Sequence, residues 1–388
     1  MKILYVIGSM EVGGAEQHLL RIAGALAARG WKPTVFTLKT GGPLTAAFQA
    51  AGVPVRGVTL PSGLARLLRH PRLIAWTGLL AALPLLVWTY WRIRPQVTHF
   101  FLPAAYIIGG VISLIAPPTV RIMSRRSLNH YQAKHQLLRK LEHWLHPRMD
   151  LVCGNSAAVV RDLRSEGVSP QRLRLIYNGI DIARFKSGQS RAAVRSGLGV
   201  DDDAVMLVMV ANLIPYKGHA DLVQALATVQ AALPSGWVCV CVGRDDGIGP
   251  ALKEQARLAG IDTHFRFPGS RKDVPDLLAA ADIGVLCSHE EGFSNAVIEG
   301  MVSGLPMVVT DVGGNAEAVV HEQTGLVVPA RTPQALGEAL LQVCLDPDLR
   351  RRMGQAGKER ALNHFSMEAC VAGYEALYRQ ELPPVGPS

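Results

Sequence analysis

Two glutamates and one lysine are the residues of this chain whose types and surroundings best suit chemistry on a charged ligand. Glu291 and Glu299 have seven residues between them, and Lys217 lies upstream in Ala211-Asn-Leu-Ile-Pro-Tyr-Lys-Gly218. A carboxylate can accept hydrogen bonds from hydroxyl groups, and a lysine offers a compact positive charge to phosphate. Either glutamate alone is better explained as an ordinary solvated acid, so the elements around them decide the interpretation.

The elements that carry these glutamates are a buried strand and the helix that follows it. Apolar Ile283-Gly-Val-Leu-Cys287 predicts a strand of a parallel sheet. The chain then turns, and Ser294 or Asn295 suits the N-cap of the next helix. Glu291 is therefore predicted in the loop at the carboxyl end of a strand, and Glu299 on the following helix. In open α/β sheets, this edge is where ligands bind.

The longer pattern around this pair resembles a known family. Glu-x7-Glu is followed by Gly304-Leu-Pro306, an apolar strand and Asp311-Val-Gly-Gly-Asn-Ala-Glu317. This order of motifs closely resembles the signature of retaining glycosyltransferase family 4, which has the GT-B fold. The resemblance implies an α/β protein with two Rossmann-like, doubly wound domains that face each other across a cleft. It also implies an enzyme that uses a nucleotide-diphosphate sugar without a metal or another cofactor.

The resemblance implies a role for each candidate residue of the second half. Glu299 would hold the ribose hydroxyls, Lys217 would neutralise the departing diphosphate, and Glu291 would contact the donor sugar near its anomeric carbon. Asn212 stands where the family usually has an arginine, so it would donate a hydrogen bond but bring no charge. The backbone of Phe293-Ser294-Asn295 and the helix dipole that begins there would share the phosphate. The leaving phosphate takes the acceptor proton in this mechanism, so the glutamates are not expected to act as the paired carboxylates of a glycosidase.

The first half carries a second candidate loop, Gly8-Ser-Met-Glu-Val-Gly-Gly-Ala-Glu16, between an apolar strand and a helical pattern. Its glycines lack the Gly-x-Gly-x-x-Gly spacing of dinucleotide sites, but Gly13 and Gly14 allow phosphate to approach free N–H groups at a helix N-terminus. A tight strand-to-helix turn is the alternative. By resemblance, this loop would face the donor diphosphate or the acceptor, and His99 would lie near the transferred sugar. Phe101 replaces the second histidine that the family often has.

Length and turn signals predict two domains. The chain has 388 residues, and Asn178-Gly179 is a strong turn signal that resembles the family's crossing between its halves. We expect residues 1–177 to form an acceptor-binding domain and residues 178–364 a nucleotide-sugar-binding domain. A C-terminal helix within 365–388 is expected to pack back on the first domain. The run Asp201-Asp-Asp203 precedes a strand and is interpreted as a solvated loop, not as a metal site.

Charge is distributed unevenly along the chain. The net charge is +9, but residues 1–150 hold 18 lysines and arginines against 4 acids, a net +14, with no acid between Glu16 and Glu142. This asymmetry indicates an anionic partner for the first half. No nucleic-acid-binding motif is visible, so an anionic membrane surface fits better than nucleic acid. The six cysteines show no disulfide or zinc spacing and we expect no signal peptide, which together favour the cytoplasm.

The segment 73–91 is almost wholly apolar and lies within the arginine-flanked range 66–94. Three interpretations are open. A spanning helix would place parts of one domain on opposite sides of a membrane and would contain Pro84. A buried connecting helix would need cover on all its faces. A monotopic hairpin or interfacial helix, with tryptophans at the headgroups and arginines on anionic lipid, fits best.

Together these features predict a retaining glycosyltransferase, peripheral on the inner face of the cell membrane. Its acceptor would be a lipid-linked saccharide of a bacterial exopolysaccharide or envelope glycan. A nucleotide-sugar epimerase of the same fold is one alternative, but it would need an acid and a base flanking the sugar and no lipid-facing segment. A non-catalytic sugar-nucleotide-binding protein is another, against which the intact Glu291, Glu299 and Lys217 argue.

Overall fold

The computed structural model describes residues 1–39, 41–58, 71–128, 132, 135–185, 188–381 and 383, apart from the side chains of 71–76 and 184. Part of the predicted membrane-binding range therefore lies outside the described residues, namely Arg66, Arg69 and the side chain of Arg72. The chain divides into two compact units, Met1–Tyr177 with Cys370–Ser388, and Asn178–Ala369. Each unit is built on its own parallel sheet.

The first unit contains a seven-stranded sheet. Its strands are β1 Lys2–Ile7, β2 Lys32–Thr37, β3 Val55–Arg56, β4 Val97–Phe101, β5 Val120–Arg125, β6 Leu151–Gly154 and β7 Leu173–Leu175. All neighbours pair in parallel, in the order β3-β2-β1-β4-β5-β6-β7. Every residue of β4 is buried, as expected for a central strand that has helices on both faces.

Helices follow most strands of both units. In chain order they are α1 Gly14–Ala28, α2 Leu44–Ala50, α3 Pro71–Ile93, α4 Pro103–Ser113, α5 Gln136–Leu145, α6 Ala157–Ser165, α7 Arg191–Gly197, α8 His219–Val229, α9 Gly249–Leu258, α10 Val274–Ala280, α11 Asn295–Val302, α12 Asn315–Ala318, α13 Pro333–Leu345, α14 Pro347–His364 and α15 Met367–Tyr378. In the first unit, buried side chains of α3, α4, α5 and α6 share one hydrophobic core with the central strands. Helix α4 contacts both α3 and α5, so these three helices form one continuous layer.

The apolar segment 73–91 belongs to one continuous helix, α3, and not to a hairpin. One side of α3 enters the hydrophobic core through Ala82, Leu86 and Tyr90. The other side is exposed, and its large side chains are Leu80, Trp88 and Trp91. The helix is therefore covered on one side only, which rules out the fully buried interpretation. No helix among the described residues is long and apolar enough to cross a membrane.

The C-terminal helix α15 packs its last part within the first unit. Tyr374 Oη lies 3.1 Å from His18 Nε2 on α1, and Tyr378 Oη lies 3.0 Å from Tyr5 Oη on β1. Arg29 and Trp31 both donate hydrogen bonds to the carboxylate of Glu375. These contacts explain why residues from Cys370 onward group with the first unit although they are remote in sequence.

The second unit contains a six-stranded parallel sheet. Its strands are β8 Met206–Val210, β9 Val238–Val242, β10 Phe265–Gly269, β11 Ile283–Leu286, β12 Met307–Thr310 and β13 Gly325–Val328, in the order β10-β9-β8-β11-β12-β13. The order reverses between β8 and β11, which are direct neighbours. The carboxyl edge of β8 and β11 is therefore a topological switch point, where ligands of open α/β sheets bind.

Candidate active site

An ion pair lies at the switch point of the second unit. Lys217 Nζ is 2.5 Å from Glu291 Oε1, and Ser288 Oγ donates to the same carboxylate oxygen at 2.7 Å. Lys217 belongs to a short turn after β8, and Glu291 lies in the loop after β11. The Lys217 and Glu291 side chains are 19% and 11% exposed. The two predicted residues therefore meet, and Ser288 is a third member that the sequence pattern did not single out.

A close backbone approach holds the lysine turn against the strand end. Gly218 has φ 76°, and a Cβ at this position would clash with the carbonyl oxygen of Cys287. Cys287 Sγ donates to the Gly218 carbonyl oxygen at 3.1 Å, and the His289 N–H donates to the Tyr216 carbonyl oxygen at 2.7 Å. Only glycine fits the 218 position without strain, because its φ is left-handed and the space is filled.

A second glycine supports the glutamate loop from its other side. Gly313 has φ 54°, and a Cβ there would clash with the carbonyl oxygen of Glu291. The Gly314 N–H donates to the Gly292 carbonyl oxygen at 2.8 Å, and Thr310 Oγ1 donates to the Ser288 carbonyl oxygen at 2.5 Å. The glycine pair of the Asp311–Glu317 motif therefore packs under the loop that carries Glu291.

The predicted helix begins where the sequence indicated. Helix α11 starts at Asn295, and Ser294 occupies the N-cap position without capping the helix through its side chain. Asn178 Nδ2 donates to the Phe293 carbonyl oxygen at 2.9 Å and to Asn295 Oδ1 at 2.8 Å. Asn178, predicted only as a turn residue, thus fixes the entry to α11. First-turn N–H groups have no partner within a helix, so this end suits an anion.

Glu299 lies on α11 one turn after Asn295 and is half-buried. The candidate residues thus all belong to elements at the carboxyl edge of β8 and β11: Lys217, Glu291, the start of α11 and Glu299. One cation, two carboxylates and a helix N-terminus can together hold a ligand that carries both phosphate and hydroxyl groups.

Asn212 holds one loop to another. Its Oδ1 accepts a hydrogen bond from the Arg244 N–H at 3.1 Å, and the Leu213 N–H donates to the Arg244 carbonyl oxygen at 2.8 Å. These bonds join the loop after β8 to the loop after β9. The guanidinium of Arg244 is itself paired with Asp246. The proposed contact of Asn212 with the donor stays a prediction, and the structure adds this loop-joining contact to it.

His219, the first residue of α8, was not singled out from the sequence. It is almost fully buried directly after the lysine turn. Burial, followed by the nearby charge of Lys217, lowers the pKa of His219 to about 4. The imidazole is therefore neutral at physiological pH and leaves Lys217 as the cation of this turn.

In the loop between β1 and α1 of the first unit, Gly13 and Gly14 have different surroundings. Gly13 is the extended N-cap residue of α1, and a Cβ on it would meet the carboxylate of Glu16, whereas nothing lies within 4 Å of a Cβ on Gly14. Burial raises the pKa of Glu16, while its own backbone N–H, Ser9 and Arg126 act in the opposite direction. Gly13 thus leaves room for the Glu16 side chain. Contact of the loop with a diphosphate stays a prediction.

His99 is completely buried in the sheet of the first unit. Its Nδ1 lies 2.8 Å from Tyr378 Oη, and its Nε2 lies 2.7 Å from Ser124 Oγ. Burial, and to a smaller extent the charge of Arg126, lowers the pKa of His99 to about 3. The two ring nitrogens therefore connect β4 to other elements of the unit, Nδ1 to α15 and Nε2 to β5. Contact with a sugar, which remains a prediction, would require one of these bonds to break.

One group of side chains in the first unit has the composition of a metal site but is already neutralised. Potential ligand atoms of Glu142, His146 and Glu166 lie within 4.8 Å of one another. Arg125 donates to Glu166 at 2.6 and 2.8 Å and to Glu142 at 3.2 Å. The guanidinium occupies the position a cation would need, so this group is a buried ion-pair network.

Comparison with known families supports the pattern in both units. Residues 12–184 match the family model described as Glycosyltransferase Family 4, and residues 190–360 match the model described as Glycosyl transferases group 1. The D-inositol 3-phosphate glycosyltransferase of Streptomyces scabiei is 28% identical over 401 residues, which cover 97% of this chain and 88% of that protein. The enzyme of the same name from Saccharomonospora viridis is 31% identical over 229 residues, which cover 57% of this chain and 53% of the relative.

Solved structures agree with the fold. HepE of Anabaena in complex with UDP superposes with a TM-score of 0.84 at 24% identity, covering 98% of this chain and all of that one (100%). Sucrose-phosphate synthase of Thermosynechococcus elongatus gives a TM-score of 0.77 at 22% identity, with 98% of each chain covered. The chain belongs to the group 1 glycosyl transferases of glycosyltransferase family 4, and it is a glycosyltransferase with the GT-B fold.

Proposed function

We propose that this protein is a retaining, metal-independent glycosyltransferase that moves a sugar from a nucleotide-diphosphate sugar to a lipid-linked saccharide. The observation that carries the donor half is the Lys217–Glu291 ion pair, 2.5 Å long, at the switch point between β8 and β11. The relative HepE was crystallised with UDP and with UDP-glucose, which favours a uridine-diphosphate sugar as the first donor to test.

The proposed chemistry begins with the diphosphate. As the bond between the sugar and the phosphate breaks, negative charge grows on the leaving group and must be stabilised. Lys217 supplies a charge, and the N-terminus of α11 at Ser294 and Asn295 supplies backbone N–H groups and a favourable dipole. Because these groups already supply positive potential, the proposal assigns no step to a metal.

Glu291 and Glu299 have separate roles in this proposal. Glu291 contacts the donor sugar near its anomeric carbon, where its negative charge stabilises positive charge that develops on the ring. The bond from Ser288 Oγ and the pairing with Lys217 keep its carboxylate in one orientation. Glu299, on α11, accepts the ribose hydroxyls. The acceptor hydroxyl attacks on the face that the phosphate leaves, and the phosphate oxygen takes the proton.

We assign acceptor binding to the first unit. Its sequence from 1 to 150 carries a net charge of +14, which suits an acceptor with phosphate groups at an anionic membrane. Gly13 and Gly14 stay candidates for contact with a phosphate, and the range 66–94 for contact with lipid. On this basis we place the enzyme on the cytoplasmic face of the membrane, in the synthesis of an exopolysaccharide or envelope glycan.

A second acceptor class is favoured by the relatives. Several are named D-inositol 3-phosphate glycosyltransferase, so a small, soluble, phosphorylated cyclitol is an alternative acceptor that also matches the positive charge. The exposed tryptophans of α3 favour the lipid-linked class, because a soluble acceptor gives them no role.

Donor and acceptor are tested in sequence. A thermal-shift screen of nucleotide sugars should find a donor that adds about 2.7 kcal/mol of stability at 100 times its dissociation constant. Transfer of radiolabelled sugar from that donor is then measured with polyprenyl-diphosphate-linked saccharides and with inositol phosphates. The anomeric configuration of the product shows whether transfer is retaining, and the rate should survive chelation with EDTA. No transfer to any lipid-linked acceptor, with transfer to a cyclitol phosphate, would reject the first acceptor class.

A further inference from the structure

Exposed apolar side chains are concentrated on the outer side of the α3–α4–α5 layer. We call this surface the helical face, and its largest members are Leu80, Trp88, Trp91, Leu137, Leu138 and Trp144. With Val111 on α4 and Ile115 two residues after its end, it holds 8 of the 14 large apolar side chains that are exposed in the described part of the chain. Single exposed apolar residues need no explanation, but a cluster of this kind marks an interaction surface.

Helix α5 is the part of this face that lies outside the apolar segment 73–91. Leu137 is 78% exposed and Trp144 is 44% exposed, although the helix has only ten residues. Leu145, at its end, is fully buried in the hydrophobic core. The helix is therefore anchored to the unit by one side and presents leucine and tryptophan on the other. This is the arrangement of a helix that lies in the plane of an interface.

The helical face is also basic. Its exposed cations are Arg92, Arg94, Arg139, Lys140 and Arg148. The Arg148 guanidinium lies 3.8 Å from the centroid of the Trp144 ring, and Arg56 lies 5.5 Å from that of Trp88. Tryptophan rings beside arginine side chains match the headgroup region of a bilayer, where an apolar ring and a cation meet lipid tails and phosphates together.

The one acid of α5 does not oppose this charge. Glu142 is buried and accepts hydrogen bonds from Arg125 at 3.2 Å and from Gln132 at 2.7 Å. Upstream of it the sequence has no acid as far back as Glu16. The charge that α5 presents to solvent is therefore positive.

We propose that the helical face binds an anionic lipid bilayer through α3 and α5 together. This inference rests on the proposed association with a membrane and extends it from the range 66–94 to α5 and the end of α4. A second copy of the chain is a poorer partner, because an isologous contact would bring the same cations of both copies face to face. An anionic surface, by contrast, pairs each exposed cation while the aromatic rings enter the headgroup layer.

The test is co-sedimentation of the full-length protein with vesicles. Phosphatidylcholine vesicles are compared with vesicles in which a third of the lipid is phosphatidylglycerol, at low and at high salt. We expect binding only to the anionic vesicles and weaker binding at high salt. Replacing Arg139 and Lys140 with glutamine should lower the partition coefficient roughly 25-fold, about fivefold for each cation.

Two apolar double variants separate the two helices. Trp88→Ala with Trp91→Ala, and Leu137→Ala with Trp144→Ala, should each weaken binding at least tenfold. Leu258→Ala is the matched control, because Leu258 is 73% exposed on a helix of the second unit. Circular dichroism melts check that each variant is folded. Donor hydrolysis in the absence of vesicles should be unchanged in all of them.

The outcomes are distinguishable. Loss of binding in the α3 variant only, with the α5 variant unchanged, would overturn this inference and leave the proposed membrane association through 66–94 standing. No binding of the wild-type protein to anionic vesicles would overturn both. A dimer in sedimentation velocity that the Leu137→Ala/Trp144→Ala variant breaks would assign the face to a second copy and overturn the lipid proposal.

Discussion

Substitution of Lys217 with alanine should separate chemistry from binding. The ammonium group lies 2.5 Å from Glu291 Oε1 and is 19% exposed, so an effective dielectric constant of about 20 is appropriate there. A unit charge that develops on a leaving phosphate about 4 Å away then gains at most about 4 kcal/mol from the lysine, because the paired Glu291 carboxylate offsets part of this attraction. Only the charge that develops in the transition state contributes to the rate, so we expect kcat to fall roughly thirtyfold to a thousandfold.

The assay measures kcat and KM for the donor together with the donor dissociation constant by calorimetry. The dissociation constant should change by less than the turnover, because the ground-state diphosphate also binds the start of α11. Lys217→Arg should recover part of the rate, and Lys358→Ala, an exposed lysine on α14, is the matched control. A folded Lys217→Ala enzyme with a wild-type kcat would show that Lys217 does not act on the leaving group.

Three further predictions follow from the geometry. Glu299→Ala should weaken binding of the nucleoside diphosphate about tenfold to a hundredfold, since hydrogen bonds to a carboxylate contribute about 1.5–3 kcal/mol; an unchanged calorimetric dissociation constant would contradict the ribose assignment. Gly313→Ala should abolish activity and lower the melting temperature, because φ at this position is 54° and the Glu291 carbonyl fills the space of a Cβ. Gly304→Ala is the control: its φ is 83° but the space around it is open, so it should cost only about 1 kcal/mol in urea melts. The free energy of unfolding should fall as pH drops below about 6.5, by about 1.4 kcal/mol per pH unit for each buried histidine. Burial lowers the pKa of His219 to about 4 and that of His99 to about 3, so the unfolded chain takes up these protons before the folded protein does. His219→Leu should make this pH dependence shallower, and an unchanged slope would refute the assignment for that residue.

The local structure around Glu291 was largely predictable because its signals are local. The apolar run before Ser288 and the polar turn after it predict a strand, a loop and a helix, and the structure places Glu291 and the start of α11 accordingly. The meeting of Lys217 with Glu291 needed one further rule, that loops at the carboxyl ends of parallel strands share an edge.

The residues that the sequence missed depend on contacts between distant segments. Asn178 lies more than a hundred residues before the Phe293 carbonyl that it bonds. His99 shows the same limit. The family resemblance implied a sugar contact for it, which stays a prediction. Its two bonding partners, on β5 and on the C-terminal helix, could not be seen in the local pattern.

Helix α3 illustrates a different limit. Hydropathy shows that the segment 73–91 is apolar but not which of its sides is covered. The division into Ala82, Leu86 and Tyr90 inside and the tryptophans outside follows from packing on the sheet. The segment has no polar stripe to mark that division, so amphipathic periodicity could not predict it.

The two glycines that flank the Glu291 loop have a consequence for the thermodynamics of donor binding. Gly218 and Gly313 let carbonyl groups of the loop and its strand pack against neighbouring backbone, so the loop is held by contacts within the protein. The conformational entropy of ordering the carboxylate is therefore lost when the protein folds, and not again when the donor arrives. If the donor binds here as proposed, a preorganised loop of this kind would raise affinity without any additional contact. The glycines would then be determinants of binding although neither needs to touch the ligand.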